Sequence, residues 1–514
     1  MSSLNRLILF VSLYTVHSTP CKKALFDQDS FACVCDNLSC DTVEPLGEVA
    51  LNKAVVYTTS AEGDRLTRTV LNFENVHDVK NTTVVLELDP SSERLQKIIG
   101  FGGAITDAVA SVYAKAGVLG LNLLEQYYGN DSIGYSLGRV PIGSCDFSES
   151  EWSYSEVEED YQQRHFNTSQ DSKPDILKQI LKLNPDLQLF ASPWSAPGWM
   201  KQSGRMKGGG RLKGDLNGVY YLAYAKYLIK FFEHYFSEGI KFWGMTVQNE
   251  PGFATDPNYP FQNMYLSSED QRDFVNKRLR PMFNRNNATA NLKIMAHDHQ
   301  RDSIFDAAKA IYDKAAHVEH EVDGLAVHWY SQSDFDPLRL THKLRPDKFI
   351  LATEACNAYQ VDGHIPLLGS WSHANFYAHD IIQNLLHFVT GWTDWNIFLD
   401  EQGGPNWVGN FVDAPIIVDA EKKVFYKQPM YYIMGHFSKF IPPESYRIQM
   451  TQSVDENAFE AVGFIVNGTR LVVVAHNRSP GKSYDVVLKK KNSQNGVKLT
   501  LGPKSIKTII FNNS

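Results

Sequence analysis

Between about residue 97 and residue 396, short apolar and β-branched runs alternate with longer stretches whose apolar positions recur at helical spacing. The runs stand in the order Ile98–Phe101, Tyr135–Val140, Leu187–Ala191, Phe242–Thr246, Leu292–Met295, Gly324–Val327, Phe349–Ala352 and Trp392–Trp395. Between them lie helix-like segments. In Tyr220–Phe236, Leu222, Ala225, Ile229 and Phe232 share one face, and Ser268–Phe283 opens on Ser-Glu-Asp. Strands that are apolar throughout and separated by helices suit a parallel sheet buried on both faces. Eight such units over about 300 residues predict an α/β fold, a (β/α)8 TIM barrel with loop insertions.

From about Pro443 the rhythm changes. Phe459–Val466, Leu471–Ala475, Ser483–Leu488, Val497–Leu501 and Ser505–Phe511 are strand-like and separated by Gly and Asn turns, which predicts an accessory β-sandwich. Leu51–Asp89 has the same character and supplies further strands to it. The domains are therefore expected to be discontinuous: a small β segment from 20–45 with 397–428, a sandwich from 46–94 with 444–514, and a barrel from 95–396 with 429–443. A chain of 514 residues exceeds what one core usually organises, so this division is natural.

Composition narrows the class. A formal net charge of -8 describes an ordinary globular protein and not a basic nucleic-acid binder, and Lys489–Lys491 reads as a solvated hairpin face. Residues 1–19 read as a secretory signal, with Arg6 before the apolar Leu7–Val16, and no later segment reaches the roughly 18 apolar residues of a membrane span. Cys21, Cys33, Cys35 and Cys40 crowd the start of the mature chain, which in an oxidising compartment predicts two disulfides in one of three pairings. A zinc site fits less well, because the paired C-x2-C units and closely spaced histidines are missing. Sequons at Asn37, Asn81, Asn130, Asn167, Asn287, Asn467, Asn477 and Asn512 agree with the secretory route. The expected destination is the lysosomal lumen, peripheral to the membrane, or the outside of the cell.

In a barrel of this kind the polar residues just beyond each strand face the substrate. Here they include Asp107, Asp146, Trp194, Asn249, Glu250, His297, Asp298, His328 to Tyr330, Glu354, Trp395 and Asn396. Several have ordinary structural readings: Asp107 can cap a helix, Asp298 and His328 can be satisfied hydrogen-bond partners, and the tryptophans can be core. Glu250 and Glu354 follow the fourth and seventh runs, three βα units of about 31 residues apart, and converge across the barrel mouth. Glycoside hydrolysis needs one carboxylic acid to protonate the leaving oxygen and a second carboxylate to attack, because the transition state is oxocarbenium-like. Glu250 is expected to be the acid/base and Glu354 the nucleophile, about 5 Å apart, the spacing of retaining enzymes.

The motifs Lys97-Ile-Ile-Gly-Phe-Gly-Gly-Ala-Ile-Thr-Asp107, Ala191-Ser-Pro-Trp-Ser-Ala-Pro197, Asn249-Glu-Pro251, Val327-His-Trp-Tyr330, Thr353-Glu-Ala-Cys356 and Gly391-Trp-Thr-Asp-Trp-Asn396 together resemble the acid β-glucosylceramidases of glycoside hydrolase family 30. The resemblance runs nearly end to end. It implies hydrolysis of glucosylceramide to glucose and ceramide, without metal or organic cofactor, by Glu250 and Glu354. It implies substrate contacts from Asp146, Trp194, Asn249, Tyr330, Trp395 and Asn410, and the pairs Cys21–Cys33 and Cys35–Cys40. It further implies an acidic working pH, a saposin-like activator at the membrane surface and a lysosomal sorting receptor. The chain departs from the vertebrate pattern at Gln248 (glutamate there), Asn263 (cysteine) and Gly409 (arginine), which bear on loop conformation and aglycone handling.

Other motifs carry less. Gly100-Phe-Gly-Gly103 lacks the third spaced glycine of a dinucleotide loop, and Gly208–Gly214 lacks the end of a phosphate loop and reads as a mobile loop on the active-site side. No His-Glu-x-x-His pattern is present. Two other readings remain: a relative acting on another β-glycoside or glucan, and an inactive glycolipid-binding protein on the same scaffold.

Overall fold

The computed structural model describes residues 19–77, 82–331, 334–359, 366–454 and 456–513. The signal-like segment before Thr19 and the sequon at Asn81 lie outside the described residues.

Eight parallel strands close into a barrel: β1 (Gly100–Ala104), β2 (Leu137–Ile142), β3 (Gln188–Pro193), β4 (Gly244–Thr246), β5 (Lys293–Gln300), β6 (Gly324–His328), β7 (Phe349–Glu354) and β8 (Val389–Asn396). Closure joins β8 to β1, pairing Gly391 with Gly100. A Cβ on Gly391 would lie 2.2 Å from the Gly100 carbonyl oxygen, so the seam requires glycine there. The tryptophan at 392 and the run from Phe349 fill the surrounding layers, as expected of strands buried on both faces.

Two elements differ from the apolar pattern. The fifth run ends at Met295, but β5 continues through Ala296, His297, Asp298, His299 and Gln300, with a register shift between His297 and His299. His297 and Asp298 both take positive φ, 78° and 45°, at this bulge, and the Asp298 carboxylate meets Arg139, Thr246 and Thr353 inside the barrel. The expected helix Ser268–Phe283 is broken into an α-helix over Ser268–Phe274, a π-turn over Val275–Leu279 and a last α-turn over Arg280–Phe283. Pro281 has no N–H to return to Lys277, and the ladder widens ahead of it. A capping box between Ser267 and Asp270 starts the helix.

The β-rich ends interleave. A six-stranded sheet orders Tyr446–Arg447, Phe459–Val466, Arg470–Asn477, Ser505–Asn512, Lys53–Ser60 and Thr67–Asn72. A five-stranded sheet orders Gln449–Gln452, Val84–Asp89, Tyr484–Lys490, Asn495–Leu501 and Glu74–Asn75. Val56, Leu86, Leu88, Val473, Val486 and Ile509 fill the layer between them. A third, small sheet joins Lys23–Ala24 and Ala32–Cys35 to Val424–Lys427, Ile416–Asp419 and Phe398–Asp400. Disulfides pair Cys21 with Cys33 and Cys35 with Cys40, as the family resemblance implies. Cys145 and Cys356 are free and buried. Among the described residues no helix is long and apolar enough to cross a membrane.

Candidate active site

The strand ends converge on a cleft of about 550 Å³ that includes Asp146, Trp194, Asn249, Glu250, Tyr330, Glu354, Trp395 and Asn410 in its walls. A larger cavity of about 650 Å³ opens among Gln96, Gln188, Lys293 and Phe349 at the opposite mouth, away from these groups. Volume therefore does not locate the chemistry.

Glu250 follows β4 in a left-handed conformation, φ 43° and ψ 50°, immediately before a 3-10 turn over Pro251–Thr255. A non-glycine residue there is strained, and the structure over-determines it: the Glu250 N–H donates to the Asp298 carbonyl at 2.9 Å, and Asn263 Nδ2 donates to the Glu250 carbonyl at 3.2 Å. Glu354 ends β7. One oxygen of each carboxylate and one nitrogen of His328 lie within 4.8 Å of one another. His328 Nδ1 is 3.1 Å from Glu250 Oε1 and 3.8 Å from Glu354 Oε1.

A buried ionic hub supports the pair. Arg139, fully buried within β2, donates to Glu354, to Asn249 Oδ1 at 2.9 Å and to Asp298 Oδ2 at 2.9 Å. Asp298 also accepts from His328 Nε2 at 3.0 Å, Thr246 Oγ1 at 2.7 Å and Thr353 Oγ1 at 2.6 Å. Burial alone would raise the Asp298 carboxyl, but Arg139 and His328 hold it well below the usual carboxylate range. Burial alone would lower His328, yet the Glu354 and Asp298 carboxylates push it up to about 10. Glu354 sits above its ordinary range: burial raises it, His328 and Arg139 oppose, the Glu250 charge raises it again, and the Tyr330 hydroxyl, donating at 2.9 Å, lowers it.

The sugar-facing wall is built the same way. Trp194 and Trp395 stack with centroids 5.3 Å apart, and the Arg139 guanidinium lies 5.0 and 5.5 Å from their rings. Asp146, beyond β2, accepts from Asn410 Nδ2 at 3.0 Å. Burial pushes its carboxyl up to about 7, against the pull of Asn410 and with the help of the Glu354 and Glu250 charges. Phe253, Tyr259 and Phe261, from the segment after Glu250, form the outer wall.

The cleft walls contain Asp146, Trp194, Asn249, Glu250, Tyr330, Glu354, Trp395 and Asn410, whereas Asp298 and His328 stand behind the two glutamates and Asp107, His297, Trp329 and Asn396 do not line the cleft. Cys21, Cys33, Cys35 and Cys40 stand apart in the small sheet. Thr106, not Asp107, caps the helix after β1, and Asp107 instead pairs with Lys173 at 2.5 Å. Gly208–Gly210 is packed, not free: Gly209 N–H donates to the Asp256 carbonyl at 3.0 Å and Gly210 N–H to the Ala254 carbonyl at 2.9 Å. Gln248 is held by donating to the Trp194 carbonyl at 2.7 Å, and Gly409 adopts positive φ of 75°. Local apolar pattern points to neither Arg139 nor Gln300. A charge inside an apolar barrel strand was the available signal for Arg139, whereas Gln300 lay beyond the apparent end of its run.

Among the described residues two groups could hold a metal ion. In the first, Cys35 and Cys40 are tied to each other as a disulfide. In the second, Glu250, His328 and Glu354, both ring nitrogens of His328 are already engaged, Nδ1 3.1 Å from Glu250 Oε1 and Nε2 3.0 Å from Asp298 Oδ1.

A family model described as the glycosyl hydrolase family 30 TIM-barrel domain matches residues 98–441, and one described as the family's β-sandwich domain matches residues 444–509. The chain is 42% identical over 493 residues to putative glucosylceramidase 3 of Caenorhabditis elegans, covering 94% of this chain and 92% of that one. It is 37% identical over 494 residues to the lysosomal acid glucosylceramidase of Mus musculus, covering 94% of each. The crystal structure of SrfJ from Salmonella typhimurium superposes with a TM-score of 0.81 at 29% identity, covering 90% of this chain and all of that one.

Proposed function

Because the chain belongs to glycosyl hydrolase family 30, we propose that it is a retaining β-glucosidase that hydrolyses glucosylceramide to glucose and ceramide through a covalent glucosyl-enzyme. The membership itself makes it a glycoside hydrolase. The observation that carries the finer reading is the approach of one oxygen each of Glu250 and Glu354 and one nitrogen of His328 within 4.8 Å, which supports the close carboxyl pair of retaining enzymes, roughly 5–5.5 Å, over the wider gap of inverting ones.

In the first step a Glu354 oxygen attacks the anomeric carbon while Glu250 gives its proton to the departing ceramide oxygen, and the glycosidic C–O bond breaks. In the second, Glu250 takes a proton from water, the water oxygen bonds to the anomeric carbon and Glu354 leaves. Asp146 and Asn249 bond sugar hydroxyls, Trp194 and Trp395 offer ring faces, Tyr330 and Arg139 steady the nucleophile, and Asn410 holds Asp146. The relatives' names support work on a sphingolipid in the lysosome. A lysosomal address, a saposin-like activator and a sorting receptor complete this reading, and each is testable by colocalisation and capture.

Two variants test the roles. Glu354→Gln abolishes turnover of every substrate. Glu250→Gln loses glucosylceramide hydrolysis, keeps activity on an activated aryl glucoside and is stimulated by azide, because a good leaving group needs no acid. Equal loss in both variants without azide rescue would falsify the assignment. A cyclitol epoxide should label the peptide containing Glu354. Faster cleavage of a β-glucan oligosaccharide than of glucosylceramide would shift the substrate to a glucan, and tight glycolipid binding with no turnover would mark a binding protein.

A further inference from the structure

One oxygen of Glu250 is already occupied. Gln300, at the end of β5, donates from Nε2 to Glu250 Oε1 at 2.9 Å. Its amide orientation is fixed from the other side, because Gln300 Oε1 accepts from the Ser331 backbone N–H at 3.0 Å, and a backbone N–H can only donate. The Gln300 carbonyl is tied in turn to His297 Nε2 at 3.0 Å. His328 Nδ1 reaches the same Glu250 Oε1 at 3.1 Å, while its Nε2 faces Asp298 Oδ1 at 3.0 Å.

An ionised Asp298 accepts only, so His328 Nε2 carries a hydrogen. With His328 as imidazolium, its Nδ1 also donates, and Glu250 Oε1 receives two hydrogen bonds from two strands. A carboxylic acid bears its proton on the oxygen that is not serving as acceptor. With Gln300 missing, Oε1 is half free, and the proton can settle there, against the histidine rather than the leaving group.

We propose that Gln300, acting with His328, is a positioning residue that saturates Glu250 Oε1 and confines the transferable proton to Oε2. This rests on the assignment of Glu250 as acid/base. The other titratable groups around Glu250 are His299 on β5, Tyr330 beyond β6, Glu354 on β7, Asp146 beyond β2 and Tyr259 on the following segment, whose hydroxyl is also hydrogen-bonded to the Glu250 side chain. None of them is bonded to the Gln300 amide.

The test compares the full-length enzyme with Gln300→Leu and with the isosteric Gln300→Glu, which keeps the shape of the site should the leucine variant fail to fold. Substrates are aryl β-glucosides with leaving groups of graded acidity. For poorly activated phenols kcat/KM falls about ten- to hundredfold, while a dinitrophenyl glucoside is little changed. The alkaline limb of the pH profile moves to higher pH, because a donor to the carboxylate has been removed. Equal loss on all leaving groups, or an unmoved alkaline limb, overturns the role and leaves Gln300 a purely structural residue. Glu250→Gln run alongside separates the two levels. If it lacks leaving-group selectivity, the acid/base assignment falls and this inference with it. If it shows the selectivity and the Gln300 variants do not, only this inference falls.

Discussion

At the level of single residues the cleft is governed by charges that burial would forbid if they stood alone. Arg139 has no exposed surface and five acceptors, in Ser192, Thr353, Glu354, Asn249 and Asp298, and Asp298 and Glu354 have it as a common cation. Arg139→Met strips two buried carboxylates of one of their two cations and leaves only His328 between them, which costs about 3–5 kcal/mol and should appear as a large drop in the unfolding midpoint. A midpoint unchanged within error would mean the hub contributes nothing to folding. Asp146 has the opposite character. Its carboxyl, at about 7, lies above its unfolded value near 3.9, so between about pH 4 and pH 7 the folded state holds a proton that the unfolded state has lost. That contribution is present at acid pH and declines as pH rises through the folded value. Asp146→Asn should therefore stabilise relative to wild type more at pH 7 than at pH 5, measured as thermal midpoints, and equal shifts at both would contradict it. The paired glutamates were legible because they follow apolar runs on strands that meet across a barrel. Arg139 and Gln300 were not, since a buried polar residue satisfied by distant partners leaves no trace in local periodicity.

Among the elements, the barrel strands were readable because both faces are buried and most positions of each run are apolar. The polar half of β5 was not. His297, His299 and Gln300 pair with β6 and Asp298 is the bulge between them, while the side chains of Asp298 and Gln300 hold Arg139 and Glu250 from behind the cleft, and only the fold shows both. The loop from Pro251 to Phe261 had no period at all, yet it supplies Phe253, Tyr259 and Phe261 to the cleft. Its position depends on the glycine-rich loop behind it. A Cβ on Gly209 would lie 2.0 Å from the Ala254 carbonyl oxygen and 2.6 Å from that of Asp256. Gly209→Ala must push this wall, costing about 1–3 kcal/mol. In the proposed function the aglycone of the lipid glucoside would lie against this wall, so KM for it should rise more than KM for a small aryl glucoside. Equal changes in both would place the aglycone elsewhere.

Over the whole molecule, the β-sandwich is closed only when the two ends of the chain meet, and a buried imidazole is one of the joints between it and the barrel, beside the bonds of His379 and Gln383 to Glu460. His436, on the helix Pro429–Ser438 that follows the small sheet, places Nδ1 2.8 Å from Thr508 Oγ1 and Nε2 2.9 Å from Thr59 Oγ1. One threonine comes from the C-terminal strand Ser505–Asn512 and the other from its N-terminal neighbour Lys53–Ser60. Burial, with His476 and Lys507 nearby, lowers His436 to about 3. The folded state therefore keeps it neutral at pH values where the unfolded chain, with a value near 6.5, takes up a proton. Its contribution to stability is complete above the unfolded value and declines as pH falls toward 3, at about 1.4 kcal/mol per pH unit. This opposes the gain from Asp146 over the same range, so acid stability is the balance of a cleft that tightens and a joint that loosens. His436→Gln, which keeps a donor and an acceptor without a titrating group, should flatten the fall in thermal midpoint between pH 6.5 and 4.5 while changing it little at pH 7.5. A slope as steep as that of wild type would show that acid sensitivity arises somewhere other than this junction.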